Sequence, residues 1–184
     1  MKKTVLTFGL ISGAILSAMM LITVPFQEQI GWDRGEIIGY TTMVLASLLI
    51  FVGVRSYRDN VRGGTIGFGR AFAVGALIVA VSSVCYTMTW QVVRLKLAPD
   101  IQDKFIERMA ENARAEGGSP AEVEKRLADL RDWAVTYEKP LYNVAMTFLE
   151  PLPVGLVVAL VTAGIVRRTK RDDETVMAAS AAAS

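Results

Sequence analysis

A short basic segment between two long apolar runs is the sequence feature that most constrains how this chain can fold. Residues 51–70 read FVGVRSYRDNVRGGTIGFGR and carry four arginines and a single acid, Asp59. Apolar sequence precedes this segment, resumes at Phe68 and continues to Trp90. Because clusters of arginine resist transfer across a bilayer, the arrangement predicts a tight cytoplasmic turn between two membrane-spanning helices.

Four apolar stretches are long enough to cross a bilayer, which takes about 20 helical residues. The predicted spans cover residues 4–26, 37–54, 68–94 and 141–166. The first is longer than the apolar core of a signal peptide and no polar cleavage site follows it, so we expect an uncleaved helix.

Small residues recur every four positions in three of the predicted spans. Such stripes offer faces for close backbone packing, although helices rich in glycine and alanine produce the same spacing by chance about as often. The stripes are Gly9, Gly13 and Ser17, then Ala71 and Gly75, then Gly155, Ala159 and Ala163.

The segment between the third and fourth spans differs in composition from the rest of the chain. Pro99-Asp100 supplies a helix start, Gly117-Gly118 ends that helix, and Ser119-Pro120-Ala121-Glu122 has the form of a capping box. Apolar residues recur at helical spacing on both sides of the glycine pair. These patterns predict a soluble helical hairpin whose two apolar stripes meet.

Together these features predict an all-α membrane protein with four transmembrane helices and a soluble helical hairpin between helices three and four. The bases at both ends of the chain and in the basic segment then fall on one side of the bilayer, so both termini are expected in the cytoplasm. The expected regions are transmembrane helices one to three in 1–95, an extracytoplasmic hairpin in 96–140, transmembrane helix four and its basic stop in 141–171, and a cytoplasmic tail in 172–184.

The residue types exclude several classes of function. The chain has no histidine, one cysteine and a net charge of +2. These counts exclude His/Cys metal sites, His-ligated haem, Ser-His-Asp and Cys-His catalysis, and an intramolecular disulfide. The small net charge gives no reason to expect a nucleic-acid partner. We therefore expect no catalytic residues, no cofactor and no bound metal.

An acid in the fourth span, Glu150, is the residue around which a polar site is predicted. About 16 apolar residues separate it from Arg167, or roughly 24 Å of helix, which brings it near the outer edge of the hydrocarbon. An ionisable group there is costly unless it is paired or hydrated. Counting the same rise along the other spans brings six polar residues to similar depth: Glu36, Tyr40, Tyr86, Gln91, Arg94 and Glu150.

Two interpretations of this predicted polar cluster stay open. One is a small cavity for an ion, a proton or a polar lipid headgroup. The other, which we favour, is an Arg94–Glu150 ion pair that fixes helix packing. The arginines of the basic segment also have two interpretations. Their effect on membrane topology is sufficient to explain them, and contact with anionic lipid headgroups is a candidate second role. That set is Arg55, Arg58, Arg62 and Arg70.

Two stretches carry a family resemblance. They are residues 51–78, FVGVRSYRDNVRGGTIGFGRAFAVGALI, and residues 147–168, TFLEPLPVGLVVALVTAGIVRR. The Tyr57-Arg58-Asp59 turn, the Gly63-Gly64 break and the segment from Glu150 to Gly155 resemble the signature regions of a bacterial membrane-protein family, domain of unknown function 4199 (DUF4199). The resemblance extends from the first helix to Arg168. It implies four helices with a variable soluble insert before the last one, and it implies no activity.

The sequence favours a non-enzymatic inner-membrane protein whose hairpin contacts a second copy of the chain or an envelope protein, with the lipid bilayer as its other partner. The apolar stripes of the hairpin and the lack of a catalytic residue set support this interpretation. The alternative is a small oligomeric transporter or ion-conducting unit that uses the polar cluster around Glu150. Four helices enclose little volume, so transport would need more than one copy.

Overall fold

The computed structural model describes residues 1–116 and 119–167. Four segments of this described chain are long and apolar enough to cross a membrane: Lys2–Ile30, Trp32–Val61, Phe68–Leu97 and Pro140–Val166. The eight α-helices of the described residues are α1 (Lys2–Thr23), α2 (Gln27–Ile30), α3 (Trp32–Val61), α4 (Phe68–Val92), α5 (Ile101–Ala115), α6 (Pro120–Tyr137), α7 (Pro140–Leu149) and α8 (Leu152–Val166).

The all-helical chain and its four apolar spans confirm the coarse prediction from the sequence. Three predicted features fall outside the described residues. They are the Gly117-Gly118 pair, the bases that follow Arg167, and the tail at 172–184.

The central helix of the bundle is α4, which packs against α1, α3, α7 and α8. Its contact with α1 uses the predicted small residues. Gly13 lies so close to Cys85 that a Cβ atom on the glycine would clash, and Gly9 meets α4 in the same way. One turn further along, the Thr89 hydroxyl donates to Ser17 Oγ at 2.8 Å. The backbones of α1 and α4 therefore approach closely over this stretch.

The contact between α4 and α8 also depends on small residues. Gly75 lies against Ala159, and Gly155 lies against Val79. This part of the bundle is closed, because its largest apolar cluster contains side chains that are almost completely buried, among them Ile50, Val54, Val74, Ile78, Ala159, Ala163 and Val166.

The basic segment forms the turn between α3 and α4. Gly63 and Gly64 have φ angles of 64° and 90°, in the left-handed region that glycine adopts without strain. Arg58 forms a two-bond contact with the carboxylate of Asp59 and also donates to the Val166 carbonyl oxygen at 3.2 Å. Val166 is the last residue of α8, so Arg58 satisfies a carbonyl at the end of that helix.

Outside the spans, α5 and α6 pack against each other. The Gln102 side chain of α5 donates to the Ala134 carbonyl oxygen of α6 at 3.1 Å. Ser119 and Glu122 form the capping box expected at the start of α6. Hydrogen bonds from Ser119 hold the pKa of the Glu122 carboxyl below its usual value.

The fourth span is broken rather than continuous. Helix α7 ends at Leu149 and α8 begins at Leu152. Pro151 and Pro153 lack the amide hydrogens that a continuous helix would use, and their rings disfavour the straight path. The break leaves Glu150 at the junction of the two helices, where its amide still donates to the Met146 carbonyl oxygen at 3.1 Å.

Close packing at Gly155 predicts a clear difference between two glycines of α8. A Cβ atom at Gly155 would lie 2.6 Å from Val79 Cγ1, whereas one at Gly164 would meet nothing within 4 Å. Gly155→Leu should destabilise the protein by about 1–3 kcal/mol through overpacking. We expect a lower melting temperature in mild detergent for Gly155→Leu and little change for Gly164→Leu. Equal melting temperatures for the two variants would contradict the close contact between α4 and α8.

Candidate functional site

A cavity of about 770 Å³ lies where the spans meet α5 and α6. We call this end of the bundle the α5–α6 end and the opposite end the basic-turn end. Leu16, Met43 and Tyr86 pack together at the floor of the cavity. Its sides come from the ends of α1, α3 and α4, and α5 and α6 cover it.

Aromatic side chains form much of the cavity wall. The chain has three tryptophans, and all of them, Trp32, Trp90 and Trp133, line this one cavity. The ring centroids of Trp32 and Phe105 lie 5.8 Å apart, and those of Phe105 and Trp133 lie 6.2 Å apart. Both pairs are tilted. The first joins α3 to α5 and so holds the cover against the spans, and the second joins α5 to α6 within the cover.

A second contact ties α5 to the spans at the rim of the cavity. Lys104 Nζ lies 2.7 Å from a Glu28 carboxylate oxygen and 2.8 Å from one of Asp100. Hydrogen bonds to Asp100 and Glu28 raise the pKa of Lys104, and the bond from Lys104 lowers the pKa of Asp100. The Lys104 and Glu28 side chains are 40% and 66% exposed, so water screens the pair and it contributes little to stability.

Three carboxylates and no lysine or arginine line the cavity, as far as the described residues go. Asp33 and Glu36 lie near the start of α3, and Glu150 lies at the break between α7 and α8. Tyr86 is the side chain that faces the Glu150 carboxylate. Within the described chain, none of the three acids forms an ion pair, and they do not make a cluster that could hold a metal ion.

The polar cluster predicted from the sequence divides into two groups. One group lines the cavity and comprises Glu36, Tyr40, Tyr86 and Glu150. The other comprises Gln91 and Arg94, which are not part of the cavity wall. Depth along a helix, which the sequence gives, does not fix the direction in which a side chain points. Gln91 follows Tyr86 by five residues and is therefore rotated by about 140° around α4.

The Arg94–Glu150 ion pair favoured from the sequence is absent from the residues that the structure describes. Arg94 instead donates to Gln91 Oε1 at 3.4 Å. Gln91 in turn donates to Asn143 Oδ1 of α7 at 2.7 Å. Asn143 is completely buried, so this amide pair is the polar contact that joins α4 to α7.

Sequence reasoning missed the aromatic part of the site and Asn143. Trp90 and Trp133 fall in different predicted regions, and their convergence depends on how α5 and α6 fold back over the spans. Asn143 did carry a signal, because it is an amide within an otherwise apolar predicted span, and buried polar side chains need partners.

The four arginines proposed as a lipid contact have different surroundings in the structure. Arg55 and Arg58 both pair with Asp59, and Arg58 also binds the end of α8. Arg62 and Arg70 are exposed and form no ion pair with any residue in the described ranges. A role in binding anionic lipid stays a prediction for this set.

The buried amide pair predicts a coupled effect on stability. Gln91→Leu removes the donor to Asn143 and leaves a fully buried acceptor without its partner, which should cost about 1–3 kcal/mol of unfolding free energy. Replacing both residues by leucine should cost less than the sum of the two single changes. Denaturation in mild detergent measures all four proteins of this cycle. Strictly additive effects would show that the 2.7 Å contact does not contribute.

No curated protein and no solved structure matches this chain. A family model does match it, over residues 7–168, and its description is "Protein of unknown function (DUF4199)". The matched residues include all four apolar spans apart from the first few positions, and they include α5, α6 and Glu150. The chain therefore belongs to the DUF4199 family of proteins of unknown function.

Proposed function

We propose that this protein is a non-enzymatic binding protein of the bacterial inner membrane that holds a small molecule in the cavity at its α5–α6 end. The observation that carries the proposal is the convergence of all three tryptophans and three carboxylates on one cavity of about 770 Å³, with none of the three acids in an ion pair among the described residues. Ligand cavities span roughly 300–1,000 Å³ and combine an apolar wall with a few polar groups, and this cavity has both properties.

The packing of the bundle favours binding over conduction. At the basic-turn end, close glycine contacts and fully buried side chains leave the spans tightly packed. The cavity therefore has a closed floor in this structure, at Leu16 and Met43. A transporter built around Glu150 would require a second arrangement in which that floor opens, so transport is the weaker candidate.

The position of α5 and α6 favours a covering role for them. Ile101, Phe105 and Trp133 belong to the apolar surfaces of these helices, and all three line the cavity. In the proposal, the hairpin encloses the ligand, and the apolar stripe of the hairpin forms part of the cavity wall. Contact of the hairpin with a second copy or an envelope protein remains a prediction.

The charge distribution supports the orientation in this proposal. The basic segment, the N-terminal lysines and Arg167 belong to one side of a four-span arrangement. Cytoplasmic loops carry an excess of lysine and arginine, so both termini belong in the cytoplasm and α5 and α6 belong outside it.

Cysteine labelling tests that orientation. A cysteine at Ser119 should react with an impermeant thiol reagent in intact spheroplasts, and a cysteine at Asn60 should not. Both positions are exposed, and both variants carry Cys85→Ser to remove the native thiol. Permeabilised spheroplasts provide the control in which both sites react. The opposite pattern in intact cells would overturn the proposed orientation.

Binding can be measured with the tryptophans as donors. Energy transfer to the neutral probe N-phenyl-1-naphthylamine should contain a saturable part in the native protein, because all three tryptophans line the cavity. A side chain built at Gly39 would project into open space, and Gly39 lines the cavity, so Gly39→Phe should fill it and remove the saturable part. Gly164→Phe adds the same side chain on α8 and should leave it unchanged. If neither variant loses the saturable part of the energy transfer, the proposed function is refuted.

A further inference from the structure

We propose that the ligand of this cavity is an organic cation with a sizeable apolar body, held with its positive centre among the carboxylates and its apolar part among the tryptophans. The inference rests on the proposed binding function and adds the chemical class of the ligand. Three features of the cavity point to it: the sign of its charge, the lack of a base that neutralises that charge among the described residues, and the nature of its wall.

The charge of the cavity has one sign. Asp33, Glu36 and Glu150 line it, and no lysine or arginine of the described residues does. Carboxylates near a low-dielectric wall attract cations more strongly than they would in water, and they repel anions by the same amount. A ligand with a positive charge therefore gains free energy on entering, whereas an anion of equal size loses it.

The carboxylates also lack a base as partner within the described chain, although the Tyr86 hydroxyl faces Glu150. Arg94 was the base expected to neutralise Glu150, and it donates to Gln91 instead. Six ion pairs occur among the described residues, and none of them includes Asp33, Glu36 or Glu150. All three side chains are exposed and line the cavity, so their negative charge is accessible to a cation that enters it.

The wall of the cavity suits a cation with an apolar body. Tryptophan faces attract cations through their ring quadrupole, most strongly where water is excluded. Trp32, Trp90 and Trp133 all line this cavity, so a cation bound there would have indole rings around it. The apolar floor at Leu16 and Met43 leaves room for hydrocarbon, so a small inorganic cation would leave most of the cavity unfilled.

The test compares two probes of nearly equal shape and opposite charge, tetraphenylphosphonium and tetraphenylborate. Each is titrated as a competitor of N-phenyl-1-naphthylamine in nanodiscs that contain the native protein. Tetraphenylphosphonium should displace the naphthylamine and tetraphenylborate should not. Glu36→Gln with Glu150→Gln should weaken phosphonium binding by at least roughly tenfold, because the variant removes two of the negative charges that attract the cation.

A matched control separates local charge from net charge. Glu124→Gln with Asp129→Asn removes two exposed acids of α6 that do not line the cavity, and it should leave phosphonium binding unchanged. Displacement by the borate as strong as by the phosphonium would overturn the inference while leaving the cavity a binding site. Absence of saturable naphthylamine binding in the native protein would instead refute the proposed function itself.

The same assay distinguishes a soluble cation from a lipid headgroup that bears an ammonium group. Nanodiscs of phosphatidylcholine present such a headgroup, and nanodiscs of digalactosyl diacylglycerol do not. Weaker phosphonium binding in phosphatidylcholine would identify the lipid headgroup as a competitor and support that source. Equal binding in the two lipids would support a soluble organic cation. Whichever lipid result is obtained, the inference also requires that the carboxylate variants bind the phosphonium more weakly than the native protein.

Discussion

The close approach of backbones along α4 is the constraint on which the rest of the structure depends. Glycines at positions 9, 13, 75 and 155 let α1 and α8 pack close to this helix, because each glycine leaves room for a side chain of the facing helix. Lipid supplies no hydrophobic force to bring helices together, so tight van der Waals contact has to do it. Towards the α5–α6 end the small residues give way to Met20, Trp32 and Trp90, and there the cavity opens. The size of the residues along each span thus sets both the closed part of the bundle and the open part.

The break between α7 and α8 places charge beside that opening. Pro151 and Pro153 interrupt the hydrogen bonding at this point, and the Glu150 side chain lines the cavity together with Tyr86. Asn143, on the α7 side of the break, is held by Gln91, so α7 keeps its own contact with α4. The span is interrupted without separating from the bundle.

The sequence predicted the spans, the basic turn and the capping box because each depends on residues close together in the chain. It also brought Glu36, Tyr40, Tyr86 and Glu150 to one depth, and these four line one cavity. It failed for Arg94 because rise along a helix gives height and not direction. The aromatic wall of the cavity could not be predicted from the sequence, for a different reason. Trp133 lies more than 40 positions from Trp90, and only the folding of α5 and α6 over the spans brings the two together.

The contacts that close the cavity differ in strength from those that build its floor. The cover is held by aromatic rings and by the exposed Lys104–Glu28 pair, which water screens. The floor is held by buried apolar contacts and by the Ser12 hydroxyl, which donates to the Ala46 carbonyl oxygen at 3.0 Å. Separating α1 from α3 would expose that buried hydrogen bond and the side chains around it, whereas lifting α5 breaks contacts that solvent already reaches. Lifting α5 is therefore less costly than separating α1 from α3, which is compatible with the proposed binding site.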